Sequence, residues 1–496
     1  MAKAESKQPI TPRDQDYARW YQDVIASADL VDSSPVRGCM VLKPHGFAVW
    51  EAIRADLDAR FKATGHQNAY FPLFIPQSFL SREAEHVEGF AKECAVVTHH
   101  RLKATDDGVV PDPAAKLEEP LVVRPTSETI IWHMYGRWIS SWRDLPLLIN
   151  QWANVVRWEM RTRPFLRTAE FLWQEGHTAH ATRAEAEEEA RRMLQVYKDF
   201  CWETLAVPVV TGVKTATERF AGADDTYTIE GMMQNGWALQ CGTSHFLGQN
   251  FARAFDVTFQ NREGELEHVW ATSWGVSTRL IGAVIMTHSD DQGLVLPPAV
   301  APVQVVIVPI WRGDRKAMVM EYVDRVASLL GGRFRVRVDD RDNLKPGAKY
   351  FEWERKGVPL RMEVGPRDVE GGVVMCRSRL GGDKFKLPVG DDLADRVGET
   401  LDGIQRQLLE RAVALRDAHI FEVDRYDEMK ARLQEQGGGW FRVPWHDDAE
   451  AEAAIKADCK ATIRCYPLEG QEDAAGRTCF YSGRPATHMA IFARAY

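Results

Sequence analysis

The chain has 496 residues, of which 45% are hydrophobic and 27% charged, with a formal net charge of −9. This length predicts two to four domains, and the composition excludes global disorder. An acidic chain lacks the global attraction that would bind nucleic acid indiscriminately, and no stretch reaches the ~20 uncharged apolar residues that a membrane span requires. Eight cysteines without a Cys-x-x-Cys pair and an N-terminus without an apolar signal segment predict a cytoplasmic protein with no membrane partner.

Hydrophobic periodicity gives the first elements. Residues 1–35 read as a polar lead-in, and an apolar stripe from Trp50 to Phe61 predicts a helix over 47–64 that Gly65 ends. Period-two alternation predicts the strands 121–129, 147–160, 165–177 and 238–246. Thr182 and Glu185 form a capping box, which predicts the start of a long helix. Strands in succession with few crossovers favour an antiparallel sheet.

Prolines near residue 300 mark a change of pattern. A continuous apolar run over 303–310 predicts a buried parallel strand, and the alternating helices and strands that follow are typical of a compact α/β domain. A long helix beginning near Leu393 leads into a third, smaller unit.

The densest group of chemically active residues lies between Arg124 and His177. On strands, alternation would place three sets of side chains on common faces: Thr126 with Glu128; Arg157 with Glu159; and Phe171 with Trp173, Glu175 and His177. Because burying unpaired charge costs several kcal/mol, such a face makes poor core material. A ligand-binding face and a solvated face remain equal alternatives, although the aromatic residues weigh against the second.

Two further clusters could meet a polar ligand. Gln240 and His245 lie on one predicted strand, although a single histidine in such a position is more often structural. Arg279 lies where a strand enters a helix, which suits a phosphate group, while a surface ion pair is the alternative. No phosphate loop or hydrolase motif is present. A nucleotide would therefore be bound by arginines on a sheet.

These residues resemble the class II aminoacyl-tRNA synthetases, and within them the prolyl-tRNA synthetases. Residues 157–179 resemble motif 2, Gly65–Phe74 motif 1, Ser277–Gly282 motif 3 and Arg124–Thr129 the Thr-x-Glu amino-acid loop, and the segment 243–248 is also similar to the family. Only about a hundred residues separate Glu175 from Arg279. This spacing is similar to the archaeal/eukaryotic-like branch, which lacks the inserted editing domain of many bacterial enzymes.

The resemblance implies an α+β chain in three parts. Residues 1–300 would form the catalytic domain around a six-to-seven-stranded antiparallel sheet, 301–405 an α/β anticodon-binding domain, and 406–496 a small α+β C-terminal extension. It further implies a homodimer formed through motif 1.

The implied activity is that of a proline–tRNA ligase. L-proline and ATP would give prolyl-adenylate and pyrophosphate, and the prolyl group would pass to the 3'-terminal adenosine of tRNA(Pro). Because a pocket sized for a five-membered ring cannot strongly reject smaller amino acids, we expect some misactivation of alanine or cysteine.

Carried over residue by residue, the resemblance assigns Arg157 and Arg279 as the catalytic residues that hold the α- and γ-phosphates. The expected ATP contacts are Arg157, Glu159, Arg167, Thr168, Phe171 (stacked on adenine), Gln240, Thr243, Ser277 and Arg279. The expected proline contacts are Thr126, Glu128, Arg157, Glu175, His177 and His245. Mg²⁺ is expected to bridge the phosphates.

The resemblance also directs attention to two regions after residue 300. Residues 345–386 contain ten Lys or Arg and six Asp or Glu, a net charge of +4, which suits a polyanion, although a mixed charged surface is the alternative. Glu354, Lys356 and Arg361 are the candidates for anticodon contacts.

Related enzymes often bind zinc in the extension through four cysteines, but the matching positions here hold His446, Ala451, Cys479 and Ser482. Alanine cannot ligate and serine ligates zinc poorly, so zinc is predicted to be absent.

Two other functions remain as alternatives. A synthetase-like paralogue could bind tRNA without charging it, but the motif arginines argue against this. A class II relative could activate another amino acid such as threonine, which the Thr126/Glu128 pair and the context of Trp173–His177 disfavour.

Overall fold

The computed structural model describes residues 9–80 and 93–496. Its helices are Tyr17–Ser27, Pro44–Ala63, Gln77–Leu80, Glu128–Trp138, Arg183–Glu203, Asn250–Ala254, Arg279–His288, Lys316–Leu330, Pro346–Arg355, Pro366–Glu370, Leu393–Ala418, Tyr426–Gln436 and Ala449–Cys459. Short 3₁₀ turns lie at Pro113–Ala115, Trp142–Asp144, Gly313–Arg315 and Gln471–Ala474. None of the helices described is long and apolar enough to cross a membrane.

The strands, in chain order, are numbered as follows. Before residue 300 they are β1 (Val31–Ser33), β2 (Met40–Leu42), β3 (Gln67–Asn68), β4 (Phe74–Pro76), β5 (Val96–His99), β6 (Leu102–Thr105), β7 (Gly108–Pro111), β8 (Lys116–Val123), β9 (Leu147–Val156), β10 (Glu170–His180), β11 (Val210–Val213), β12 (Asp225–Met232), β13 (Ala238–Gly248), β14 (Thr258–Gln260), β15 (Leu266–His268) and β16 (Trp270–Ser277). After it they are β17 (Val305–Pro309), β18 (Val336–Val338), β19 (Leu360–Val364), β20 (Val373–Ser378), β21 (Phe385–Pro388), β22 (Ile420–Glu422), β23 (Trp440–Trp445), β24 (Thr462–Pro467) and β25 (His488–Ala493).

The largest sheet in the described part of the chain has eleven strands, in the order β22-β23-β25-β24-β11-β12-β13-β16-β10-β9-β3. From β11 to β9 all neighbours are antiparallel, and β3 pairs in parallel with β9 at the edge. This half confirms the predicted antiparallel core of six to seven strands. The other half was not foreseen: the four strands of the C-terminal extension continue the same sheet.

The junction between the two halves is the pair β11–β24, joined at Gly212↔Pro467 and Val213↔Tyr466. A Cβ atom on Gly212 would lie 2.4 Å from the Cβ of Cys465, so only glycine allows the two strands to approach this closely. The close packing at Gly212 therefore fixes the register between the extension and the catalytic sheet.

One face of the catalytic sheet is covered by the helix Arg183–Glu203, which packs on β12, β13 and β16. Thr182 and Glu185 form the predicted capping box at its start. The helix buries Met193, Tyr197 and Phe200 against the sheet. The opposite face is left to form a cavity.

Residues 305–388 form a separate five-stranded sheet in the order β18-β17-β19-β20-β21. β17 lies between β18 and β19 and runs parallel to both, and it is buried throughout, as its apolar sequence predicts. The helices Lys316–Leu330 and Leu393–Ala418 share its core. With the antiparallel catalytic sheet before it and the small mixed unit after it, the α+β class is confirmed.

Several predicted boundaries are wrong. The predicted lead-in contains the helix Tyr17–Ser27, which buries Trp20 and Val24. Its apolar stripe is short and flanked by charged residues, so the sequence pattern did not indicate a helix. Residues 1–8 lie outside the described part. The strand 121–129 ends at Val123, because Pro125 has no N–H group for a ladder, and a helix begins at Glu128. The strand 147–160 ends at Val156, and 165–177 is observed as β10, Glu170–His180.

These differences alter the predicted faces. Thr126 and Glu128 lie in a turn and at a helix start, and Arg157 and Glu159 lie in the loop after β9, so neither pair shares a strand face. By contrast Phe171, Trp173, Glu175 and His177 do alternate along β10.

Candidate active site

A cavity of about 460 Å³ opens on the uncovered face of the catalytic sheet. All fourteen residues predicted to contact ATP or proline line it: Thr126, Glu128, Arg157, Glu159, Arg167, Thr168, Phe171, Glu175, His177, Gln240, Thr243, His245, Ser277 and Arg279. Residues separated by up to 153 positions in the sequence therefore meet in one place, on the strands β10, β13 and β16 and on the loops and helix starts beside them.

Strand register arranges the floor of the cavity in rows. One row crosses four strands through His177, Ser273, His245 and Thr226, which are successive cross-strand neighbours. The next row contains Gly275, which has no side chain and so leaves the middle of the floor open. A bound molecule can therefore approach the backbone there.

Glu175 is the centre of a buried hydrogen-bond network. Its Oε1 accepts from Ser127 Oγ at 2.5 Å and from Gln151 Nε2 at 2.8 Å, and its Oε2 is 2.9 Å from His177 Nε2. Burial lowers the pKa of His177, but the hydrogen bond and charge of Glu175 outweigh this, so that the pKa is raised. The other ring nitrogen of His177, Nδ1, is buried and makes no hydrogen bond to any described residue. It is left for a ligand.

Thr126 and Glu128 form the wall next to this network. Thr126 Oγ1 donates a hydrogen bond to Glu128 Oε2, and both side chains are buried. Glu128 is the first residue of the helix Glu128–Trp138, where the helix dipole favours negative charge. The turn thus presents a buried carboxylate to the cavity.

Arg157 places a positive charge opposite these carboxylates. Its Nε donates to Pro125 O at 2.9 Å, and its guanidinium carbon lies 5.5 Å from the ring centres of both Phe171 and Trp173. Burial and the charge of Arg279 lower the pKa of Arg157 to about 10, against the opposing effect of nearby carboxylates. The group remains cationic at neutral pH.

Arg279 is the second half-buried cation of the cavity. Its Nε donates to Leu166 O at 3.2 Å and its Nη1 to Gln240 O at 3.4 Å. Burial lowers its pKa as well. Two guanidinium groups held by carbonyl oxygens and facing one cavity form a site for a polyanion, since Arg pairs readily with phosphate.

His245 completes the opposite end. Its Nδ1 is hydrogen bonded to Thr226 Oγ1 at 3.0 Å, and its ring centre lies 4.5 Å from that of Phe220. Burial lowers the pKa of His245 to about 4 despite the attraction of Glu128. His245 is therefore neutral near pH 7, whereas His177 has a raised pKa.

Three family models match the chain. They describe the tRNA synthetase class II core domain (G, H, P, S and T) at residues 113–288, an anticodon binding domain at 304–399 and the prolyl-tRNA synthetase C-terminal domain at 426–496. The proline–tRNA ligase of Porphyromonas gingivalis is 58% identical over 99% of this chain and 100% of its own length, and that of Flavobacterium johnsoniae is 56% identical over 98% and 99%. The chain belongs to the prolyl-tRNA synthetase family.

Solved structures agree with this. The prolyl-tRNA synthetase of Cryptosporidium parvum, complexed with halofuginone and AMPPNP, matches with a TM-score of 0.90 and 39% identity over 98% of this chain and 99% of that one. The same protein complexed with L-proline and AMP matches with a TM-score of 0.89 and 37% identity over 99% and 97%. The predicted ligase activity, in which proline is activated with ATP and transferred to tRNA, is confirmed.

Like the predicted branch of prolyl-tRNA synthetases, the chain has no inserted domain between motifs 2 and 3. All residues from Glu175 to Arg279 are described, and they form the helix Arg183–Glu203, strands of the sheet and short connections.

Some cavity residues of this prolyl-tRNA synthetase were not predicted. Glu218, Arg219 and Phe220 come from the loop between β11 and β12, and Ser273 and Trp274 come from β16. An Arg-Phe pair just before a Gly- and Asp-rich segment was a weak signal for the loop. Ser273 could be found only from its register with His177.

The predicted anticodon contacts fall near one another on the five-stranded domain. Glu354 and Arg361 line a shallow cleft together with Arg377. Lys356 pairs with Glu352 at 3.1 Å. Their role in binding tRNA stays a prediction.

The positions that match zinc ligands of related enzymes do not form a zinc site. His446 Nδ1 is 2.8 Å from Pro485 O, and Cys479 Sγ accepts a hydrogen bond from the Ser482 N–H. No group of three or more His, Cys, Asp or Glu able to hold a metal is found among the described residues. The donor set does not fit zinc, and its absence from the protein stays a prediction.

Proposed function

We propose that the cavity binds ATP and proline with the residue roles that the family resemblance implies. The observation that carries the proposal is the pair of half-buried guanidinium groups, Arg157 and Arg279, which face one cavity beside buried carboxylates. The two guanidinium groups suit the negative charge of a triphosphate. An amino acid carries a carboxylate and an ammonium group, so its site needs both a positive and a negative side chain.

In this proposal ATP lies between motifs 2 and 3. Arg157 holds the α-phosphate and Arg279 the γ-phosphate, while Phe171 stacks on adenine. The supporting ATP contacts are Glu159, Arg167, Thr168, Gln240, Thr243 and Ser277. The proline carboxylate attacks the α-phosphorus and pyrophosphate leaves. Because Arg157 is already fixed by Pro125 O, it can stabilise the charge that develops there without reorganisation.

Proline is proposed to lie between β10 and β13. Thr126 and Glu128 would meet its secondary ammonium, with Glu175, His177 and His245 lining the pocket. The buried Nδ1 of His177, which makes no hydrogen bond to a described residue, supports a polar ligand at this point. The rings of Trp173 and Phe220 line the same space and would pack on the pyrrolidine ring.

Mg²⁺ is proposed to arrive with the nucleotide. Among the described residues no cluster of side chains could hold a metal alone, and Mg²⁺ commonly binds through one or two carboxylates plus phosphate oxygens. Glu159 lines the cavity and fits this role. The ion would neutralise phosphate charge.

We also propose the predicted homodimer through motif 1. Tyr70 is 72% exposed, and Phe74 and Trp138 are also exposed. The buried Phe71, next to Tyr70 in the chain, places its ring 5.7 Å from that of Trp138. Exposed apolar surface of this kind is typical of an interface. The partners would be tRNA(Pro), L-proline and a second copy, acting in the cytoplasm.

The test is proline-dependent ATP–pyrophosphate exchange by Arg157→Ala and Arg279→Ala. Each should lower the rate about 10²- to 10³-fold, the usual cost of one group that stabilises developing charge. Arg183→Ala is the control, because Arg183 is exposed on the helix that covers the other face. Native exchange by either cavity variant would refute the assignment, and a chain that exchanges no pyrophosphate with proline would favour the non-charging paralogue.

A further inference from the structure

The loop 214–220 is the first part of the connection from β11 to β12 and forms one side of the active-site cavity. It supplies Glu218, Arg219 and Phe220 to the lining. Phe220 is tied to the catalytic sheet, because its N–H donates to Thr226 Oγ1 at 3.1 Å and its ring packs on His245. The position of this loop therefore decides how the His245 end of the cavity is closed.

Further contacts of the loop come from the C-terminal extension. Thr217 Oγ1 donates to Glu452 Oε2 at 2.7 Å, and Thr215 Oγ1 lies 3.4 Å from Glu452 Oε1. The two hydroxyl groups are also 2.9 Å apart. Lys456, one turn further along the helix Ala449–Cys459, pairs with Glu218 at 3.5 Å. Two side chains of one helix in the extension thus reach this loop.

Glu452 is the buried member of this contact. It is 6% exposed, and the hydrogen bonds described above join it to the two threonines of the loop. A buried carboxylate is costly unless its oxygens are hydrogen bonded. The chain therefore gains most when the loop stays where Thr215 and Thr217 meet Glu452.

The loop is also fixed at its start. β11 ends at Val213, which pairs with Tyr466 of β24. Lys214, the next residue, donates to Arg464 O at 2.7 Å. Lys214 also contacts the catalytic sheet, since its N–H donates to Thr226 O at 2.8 Å and its Nζ to Glu230 Oε1 at 2.8 Å. Beyond this start, the side chains of Thr215, Thr217 and Glu218 contact the extension, and Phe220 returns to the catalytic sheet.

We infer that Glu452 is a positioning residue for proline activation: from the C-terminal extension it holds the loop 214–220 so that Phe220 closes the cavity beside His245. Glu452 touches neither substrate. Its effect is to remove alternative positions of the loop before proline binds, which lowers the ordering cost of binding. The inference rests on the proposed place of proline near His245, which the Arg279→Ala variant does not probe.

The first test is Glu452→Ala in the full chain, assayed by ATP–pyrophosphate exchange. We expect the KM for proline to rise about tenfold, the size of losing one hydrogen bond to a charged group, with a smaller change in the KM for ATP and in kcat at saturating proline. Glu450→Ala is the matched control: Glu450 lies two residues away on the same helix and its side chain is exposed. It should retain the native KM.

A second variant changes the loop side of the Glu452–Thr217 contact. Thr217→Val removes the hydroxyl donor without changing the extension, and it should raise the KM for proline by a similar factor. The double variant should be no worse than Glu452→Ala alone, because that change already removes the hydrogen bond from Thr217. Glu452→Gln keeps an acceptor oxygen and should be intermediate.

These measurements separate positioning from mere stability. A structural role alone would lower the melting temperature of Glu452→Ala and leave the KM for proline unchanged, and that result would overturn the inference. Additive effects in the double variant, or a shift in the KM for ATP alone, would overturn it as well. If Glu452→Ala does not fold, Thr217→Val decides, since it leaves the extension intact.

Discussion

Two buried carboxylates of the same sheet, Glu175 and Glu230, are held in opposite ways. Glu230 is 0% exposed, and its oxygens accept from Lys214 Nζ at 2.8 Å and from Arg464 Nη2 at 2.9 Å. Glu175 is 2% exposed and accepts from Ser127 and Gln151, which are neutral, and from the imidazole of His177.

The different partners indicate that the charge of Glu230 is structural and that of Glu175 functional. Burial raises the pKa of Glu230, but Arg464 and Lys214 outweigh it and hold the pKa below its usual range. The charge of Glu230 is thus balanced inside the chain, where it joins the extension to the catalytic sheet. Around Glu175 the polar groups face a cavity, and one of them, His177 Nδ1, makes no hydrogen bond to a described residue. An unsatisfied ring nitrogen on a histidine whose pKa is raised, as in His177, is typical of a binding site.

The largest effect should follow Glu230→Gln. This change leaves Lys214 and Arg464 buried without a counter-charge and should cost about 3–5 kcal/mol of unfolding free energy. Urea denaturation measures it. Glu469→Gln, at a side chain that is 90% exposed, is the control and should be neutral. A Glu230 variant as stable as the native chain would contradict the structural role of this carboxylate.

The same substitution at Glu175 should act on the reaction. Glu175→Gln removes the charge that raises the pKa of His177 and should lower kcat/KM for proline about 10- to 100-fold, the cost of hydrogen bonds to a charged group. Its loss of unfolding free energy should be clearly smaller than that of Glu230→Gln. Equal destabilisation by the two variants would remove the distinction between the carboxylates.

A smaller effect is expected from His245. Burial holds its pKa at about 4 in the folded chain, against 6.5 for an ordinary histidine, so the unfolded chain binds the proton more readily. His245 therefore costs stability as the pH falls from about 6.5 towards about 4, and nothing above that window. Unfolding of His245→Asn should depend less steeply on pH over this range than unfolding of the native chain. An identical slope would show that His245 does not titrate as described.

The smallest expected signal is misactivation. Because the pocket recognises proline by size and by one charged end, ATP–pyrophosphate exchange with alanine or cysteine should exceed background while remaining far below that with proline. Exchange at background with both amino acids would show that the closed loop rejects small side chains as well.

What the sequence predicts depends on how local each feature is. The alternation from Phe171 to His177 lies within one strand, and Arg279 lies where a strand meets a helix, so the amino-acid pattern was enough to predict both. The helix start at Glu128 was missed because the alternation of neighbouring residues also suits a strand. Phe220 and the pairing of Val213 with Tyr466 depend on contacts between distant segments, which no local pattern contains.

The join between β11 and β24 has a consequence for synthesis of the chain. Until β24 leaves the ribosome, the hydrogen-bonding groups of β11 on that side have no strand beside them, and an open sheet edge attracts other extended chains. The nascent protein therefore exposes an open sheet edge for about half of translation, from the completion of β11 to that of β24. Shortened forms ending before Thr462 should aggregate instead of yielding a smaller active enzyme.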